Sequence, residues 1–160
     1  MSFRDRFPPL KPADQVSAQD IDWSGFRLPD GVIGQWRNWS PTLNNLTKGN
    51  GTQTARYTQV GKLVVAEYAL VFGSTSAMGT NPNVSLPVTA VVLGGNENNR
   101  GSGEAHDDSV GTRIALAVRA TPTVAALHYL NPAYTGITAT APFTWTTSDV
   151  IQFTITYEAA

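Results

Sequence analysis

The sequence Y-T-Q-V-G-K-L-V-V-A-E-Y-A-L-V-F, residues 57–72, decides the fold. Two β-rich runs meet at Gly61 and Lys62. Glycine in the first position of a two-residue loop favours a type II′ turn, because the twist of that turn matches the twist of the flanking strands. The segment therefore predicts a tight β-hairpin.

The second arm of this hairpin is apolar on both faces. One face is formed by Val64, Ala66, Tyr68, Leu70 and Phe72. The other face is also apolar apart from Glu67, and on it Leu63, Val65 and Val71 are candidate residues of a subunit interface. Since both faces of such a strand must be covered, we expect an arm, a loop or another subunit on the second face. Burial of that face within a single sandwich is the alternative.

Further strand-like runs follow at short spacing. Residues 149–158 alternate most regularly, with Ile151, Phe153, Ile155 and Tyr157 on one face. Other strands are expected near 36–40, 52–60, 84–93, 104–108, 112–119 and 124–130, and loops at 43–51, 73–83 and 94–103. Eight or nine strands with almost no helical period predict an all-β fold, an antiparallel β-sandwich or jelly-roll-like domain over residues 36–160.

Residues 1–35 differ from the rest of the chain. Several prolines interrupt regular structure there, and large apolar residues are spaced out between them. Aromatic residues are depleted in disordered segments, which favours an extended N-terminal arm that docks on another surface over a disordered tail. The candidate docking residues are Phe3, Phe7, Leu10, Trp23 and Phe26.

Composition limits the possible partners. The chain has 160 residues, a net charge of −1, only 14% charged residues and no cysteine. We therefore expect no binding of nucleic acid or of an anionic membrane, no disulfide and no thiolate metal site. The N-terminus lacks an apolar signal-peptide core, and no apolar run reaches the ~20 residues that cross a bilayer. These features predict a soluble protein made in the cytoplasm.

Few residues suggest chemistry. In a strand, Glu104, His106 and Asp108 would project from one face, as metal ligands do, although a solvated surface is the simpler interpretation. His128 lies in an apolar run and is expected to be a hydrogen-bonded core or interface residue. The nucleophile motif G-x-S-x-G is absent. We expect no catalytic centre, no cofactor and an exposed loop that carries Asn96, Asn98, Asn99 and Arg100.

Four segments together suggest a family. They are G-N-G-T-Q-T-A-R-Y-T-Q-V-G-K-L-V (49–64), L-V-F-G-S-T-S-A-M-G-T (70–80), S-L-P-V-T-A (85–90) and W-T-T-S-D-V-I-Q-F-T-I-T-Y-E-A-A (145–160). In this order they resemble a β-sandwich module at the C-terminal ends of minor tail and fibre-like proteins of tailed bacteriophages that infect actinobacteria. The resemblance implies a surface-exposed virion component that is commonly trimeric and carries no catalytic residues.

A short module with an adhesive arm suits a capsid decoration protein. We therefore expect a homotrimer on the virion surface that is attached through residues 1–35 to a phage capsid protein. The alternative is a tail-associated adhesin, bound to a tail protein, whose loops at 73–83 and 94–103 bind a host surface glycan. An enzyme that acts on cell-wall polysaccharide would need a carboxylate pair or a metal site.

Overall fold

The computed structural model describes residues 34–91, 98–130 and 136–160. These ranges contain nine β-strands: β1 (Arg37–Asn38), β2 (Leu43–Thr47), β3 (Thr52–Val60), β4 (Leu63–Val71), β5 (Ala77–Ser85), β6 (Asn98–Asp107), β7 (Thr112–Ala120), β8 (Val124–Tyr129) and β9 (Val150–Glu158). The all-β, sandwich-like fold predicted from the sequence is thereby confirmed. In the described part of the chain, no helix is long and apolar enough to cross a bilayer. Outside that part lie Asn96 and the candidate arm residues Phe3, Phe7, Leu10, Trp23 and Phe26.

The nine strands form one antiparallel sheet in the order β1-β3-β4-β9-β6-β7-β8-β5-β2. Its edge strands β1 and β2 are joined by residues 39–42 alone, a connection that spans at most about 18 Å. The sheet must therefore curl until its two edges approach each other. Trp39 connects them directly, because its backbone N–H donates to Ala55 O in β3 (3.1 Å) and its indole N–H donates to Ser85 O in β5 (3.3 Å).

The predicted hairpin is the pair β3–β4. Val60 pairs with Leu63 at the turn, and the register continues without a bulge to the pair Thr52 and Val71. Gly61 has a φ of 57°, in the left-handed region that a type II′ turn requires at its first position. The predicted turn position and the strand at 52–60 are confirmed, and β4 ends at Val71, one residue before the predicted end at Phe72.

Strands β4 and β9 provide the centre of the core. The predicted inward faces of both strands are buried, and Tyr68 of β4 stacks on Phe153 of β9 with ring centroids 5.3 Å apart. The outward residues of β9 are exposed, as the alternation predicted. The hydrophobic effect thus fixes the register of this pair, because a slip of one residue would exchange its two faces.

Two segments predicted as loops contain strands. Residues 43–51 include β2, and residues 73–83 include most of β5. Both strands are polar because they lie at or next to the sheet edge, where Asn44 Nδ2 donates to Asn83 Oδ1 (2.9 Å) across the pair. A register shift next to Asn45, whose φ is 52°, interrupts edge strand β2 and limits edge-to-edge pairing.

The strand predicted at 84–93 is wrong over residues 86–91, because β5 ends at Ser85, and residues 92–93 lie outside the described residues. Residues 86–91 instead cross the end of the sheet. Tyr157 holds this crossing segment in place, because its hydroxyl donates to Val88 O (2.9 Å) and accepts from Val88 N (3.3 Å). A second backbone bond joins Val91 N to Glu158 O (2.8 Å).

The loop predicted at 94–103 is wrong from Asn98 onward, because β6 begins there. Asn98, Asn99 and Arg100 therefore lie in a strand that pairs with β7 and not at a loop tip. Glycine is required within this strand for a reason of packing: a Cβ atom at Gly101 or Gly103 would collide with a backbone carbonyl oxygen of β9. These glycines indicate a close approach of two strands and not a turn.

Candidate functional site

The outward face of β3, β4, β9 and β6 carries two polar rows of side chains. The antiparallel register places Arg56, Glu67, Thr154 and Ser102 side by side in one row. The neighbouring row consists of Thr54, Ala69, Gln152 and Glu104. Because strand residues alternate between faces, all eight side chains point away from the core.

These two rows line an open depression of about 450 Å³, which we call the polar groove. The small side chains of Ala69 and Ser102 leave space between longer neighbours. Arg56 and Glu67 border that space on one side, and Glu104 and Gln152 border it on the other. The groove therefore results from short side chains that lie next to long ones in both rows of a regular sheet.

The charges of the groove are paired. Arg56 Nε donates to Glu67 Oε2 at 2.7 Å, and Arg113 of β7 forms an ion pair with Glu104. Gln152 Nε2 also donates to Glu104 Oε1, at 3.5 Å. Two cations and two anions cancel, so the groove has no net charge. Exposed ion pairs of this kind add little stability, but they satisfy the charged groups that line the groove.

An exposed tryptophan lies beside the groove. The guanidinium carbon of Arg56 is 4.6 Å from the ring centroid of Trp36, a cation–π geometry, and 44% of the surface of Trp36 is exposed. Trp39 and Trp145 have structural roles instead. Trp145 stacks on Phe72 (5.1 Å), and its indole N–H donates to Thr138 O (3.1 Å).

The residues predicted as a possible metal or acid–base site are not brought together. Strand β6 ends at Asp107, so Asp108 lies in the following turn and does not share a strand face with Glu104 and His106. His106 is opposite Arg113 in the β6–β7 register. Across the described ranges, no three His, Asp or Glu side chains are close enough to hold a metal ion together. His128 is half-buried in β8 opposite Ala117.

Sequence reasoning missed a buried carboxylate at the start of β9. Asp149 is fully buried and accepts hydrogen bonds from Asp108 N (3.0 Å), Thr146 N (2.5 Å) and Thr146 Oγ1 (3.3 Å). It thereby ties the β6–β7 turn to the segment before β9. The sequence contains one signal for this site, the spacing T-x-x-D at residues 146–149, directly before a regular strand. Short polar side chains at such a spacing form hydrogen bonds with nearby backbone groups.

The candidate interface residues of β4 form two patches. Leu63 is 54% exposed and lies beside Val60, which is 45% exposed, with half-buried Val65 next along the strand. We call Val60, Leu63 and Val65 the hairpin-tip patch. Val71 is 41% exposed but lies about 27 Å further along β4, beyond the polar groove. A single small contact therefore cannot bury all three predicted residues.

Comparison with known proteins gives no match: no protein-family model, curated protein or solved structure corresponds to the chain. The resemblance to phage tail proteins stays a prediction. Function has to be argued from the two surface features described above, the hairpin-tip patch and the polar groove.

Proposed function

We propose that the protein is a non-enzymatic bacteriophage structural protein, a capsid decoration protein that forms a homotrimer on the virion surface. The observation that carries this proposal is the hairpin-tip patch. It places two aliphatic side chains, Val60 and Leu63, directly opposite each other at the end of a rigid hairpin, where both are about half exposed.

The chemistry of the patch suits a contact between proteins. Protein interfaces combine an apolar centre with a polar rim. Here the rim is provided by Lys62 and Glu158, whose side chains are joined by an ion pair of 3.7 Å. At a three-fold axis, the patch of each copy would contact the patches of the two other copies. Burial of exposed aliphatic surface favours such assembly by roughly 25 cal/mol per Å².

In this proposal, the N-terminal arm attaches the trimer to the capsid. The arm residues Phe3, Phe7 and Trp23 would insert between capsid subunits, since aromatic side chains bury much apolar area for little loss of conformational freedom. Their replacement by alanine is expected to abolish particle binding and to leave the trimer intact. Particle binding at the wild-type level by this triple variant would refute the role of the arm.

Light scattering tests the assembly step. At micromolar concentration, the wild-type protein is expected to have about three times the chain mass of 17.1 kDa. The variant Leu63→Asp should return to the mass of one chain. Val110→Asp is the matched control, because Val110 is 70% exposed in the β6–β7 turn and lies outside the patch. A wild-type mass of one chain, or equal masses for the two variants, would overturn the proposal.

The second candidate function is adhesion of a tail-associated protein to a host surface glycan. The loops first expected to bind the glycan are largely strands, because β5 covers 77–83 and β6 covers 98–103. The observation that favours adhesion is the polar groove. Location of the protein on the tail, with binding to host cells, would support this candidate over decoration.

A further inference from the structure

We propose that the polar groove binds a neutral oligosaccharide. This inference gives the second candidate function a specific site and ligand class, and it does not depend on trimer formation. It rests on the charge balance of the groove, on the hydrogen-bonding groups that line it, and on its shape.

The charge balance disfavours strongly charged ligands. An anion that approached Arg56 would also face Glu67, whose carboxylate already pairs with that guanidinium at 2.7 Å. An anion near Arg113 would meet Glu104 in the same way. A cation that approached Glu67 or Glu104 would also face the arginine that is paired with that carboxylate. Burial of an unpaired charge is costly, so a groove with paired charges favours a neutral polar ligand.

The lining groups match the hydroxyl groups of sugars. Carboxylates accept two or more hydrogen bonds, guanidinium groups donate them in a fixed fork, and the amide of Gln152 does both. The hydroxyls of Thr54, Thr154 and Ser102 add small groups that both donate and accept. A pair of adjacent sugar hydroxyls, each a donor and an acceptor, complements such planar groups.

The groove is arranged before the ligand arrives. Its side chains project from four paired strands, and the charged ones are already paired with each other before a ligand binds. A ligand therefore has few side chains to immobilise, which reduces the entropic cost of binding. Catalysis is not part of the inference, because Glu67 and Glu104 are each engaged by an arginine.

The shape favours a chain of sugars over a single small molecule. The groove crosses four strands, a distance of about 14 Å at ~4.8 Å per strand. Its volume of about 450 Å³ lies within the range of ligand sites, and it is open to solvent along its length. Trp36 lies at the Arg56 end, where its exposed ring offers an apolar surface for the face of a sugar ring.

The test is binding of the full chain to an array of neutral and anionic glycans, followed by titration with the soluble form of each hit. We expect neutral oligosaccharides of two or more units to bind. Gln152→Ala should weaken that binding about 10-fold, since it removes one bidentate group. Ala69→Trp fills the centre of the groove and should abolish binding. Thr156→Ala is the matched control, on the same face of β9 but outside the groove, and should change affinity less than about 2-fold.

Three outcomes would overturn the inference. They are no retention of any neutral glycan, retention of sulfated or sialylated glycans alone, and undiminished binding by Ala69→Trp. If Ala69→Trp fails to fold, as judged by its thermal unfolding, Gln152→Ala against Thr156→Ala decides the result. Light scattering of the same samples reports the trimer separately, so loss of sugar binding and loss of assembly are distinguishable.

Discussion

Replacement of the buried carboxylate Asp149 should cost more stability than replacement of any exposed acidic residue. Its side chain accepts bonds from two backbone N–H groups, Asp108 N at 3.0 Å and Thr146 N at 2.5 Å, and from the Thr146 hydroxyl at 3.3 Å. A hydrogen bond to a charged group contributes about 1.5–3 kcal/mol, and Asp149→Ala removes the acceptor of all three bonds. Asp149→Ala should therefore lower the free energy of unfolding by about 3–5 kcal/mol.

An asparagine at this position separates charge from shape. Asp149→Asn keeps the volume of the side chain but turns one acceptor into an N–H₂ group that faces another donor. We expect a loss of about 2–3 kcal/mol, smaller than that of Asp149→Ala. Asp108→Asn is the control, because this neighbouring side chain is exposed and should change stability by no more than about 0.5 kcal/mol.

Urea denaturation followed by tryptophan fluorescence measures these differences. Small domains have a total stability of about 5–15 kcal/mol, so Asp149→Ala should shift the midpoint strongly or unfold the protein at room temperature. Trp145 directly precedes Thr146, which donates to Asp149, and stacks on Phe72, so its fluorescence reports on the affected region. A loss below about 1 kcal/mol for Asp149→Ala would refute the view that this carboxylate fixes the turn.

Two matched pairs and one pH dependence provide further tests, each measured by chemical denaturation. The new methyl group of Gly61→Ala meets no neighbouring atom, so this variant should lose only the ~1 kcal/mol of stability that a left-handed φ costs. The methyl group of Gly103→Ala collides with β9, so that variant should lose about 2–3 kcal/mol. Equal losses of stability would contradict the packing argument. Tyr157→Phe loses both hydrogen bonds to Val88 and should lower the free energy of unfolding by about 1 kcal/mol. The hydroxyl of Tyr68 has no hydrogen-bond partner among the described residues, so Tyr68→Phe should be neutral or stabilising. Destabilisation by both variants would refute this contrast. Burial raises the pKa of Tyr157 from 10.0 to about 12, so the folded state favours the protonated phenol. The contribution of this phenol to the free energy of unfolding is therefore complete below pH 10 and is lost as the pH rises to 12. Free energies of unfolding at pH 9 and pH 11 should show this decline, and Tyr157→Phe should reduce it; an equal decline in that variant would contradict the assignment.

The parts of the fold that were predictable from the sequence have strong apolar alternation. The β3–β4 hairpin and β9 combine buried aliphatic and aromatic residues with a clear turn signal at Gly61. There the pattern of burial and the local backbone preference agree, so the strands, their inward faces and the hairpin turn follow from the sequence.

The missed strands are polar or rich in glycine. Strands β2 and β5 pair through asparagine side chains near an edge, and β6 needs glycine where β9 approaches closely. Composition cannot separate such strands from loops, because the residues that favour turns are also those that permit close packing or solvent exposure. The polar groove was missed for a related reason: its rows join residues from four strands, and the register that aligns them is a tertiary property.

The hairpin-tip patch shows the limit of prediction from one strand. The sequence correctly placed Leu63, Val65 and Val71 on the second face of β4, and all three are at least partly exposed. It did not show that the polar groove separates Val71 from the other two residues, because the groove depends on the neighbouring strands β3, β9 and β6.

Electron microscopy of phage particles that carry the labelled protein tests the central proposal most directly. A tag at the C-terminus, which follows β9, leaves the N-terminal arm unchanged. Decoration predicts density over the head at local three-fold positions, and the density should disappear when Phe3, Phe7 and Trp23 are replaced by alanine. Density confined to the tail, or no density on the particle, would contradict the proposal that this protein decorates a capsid.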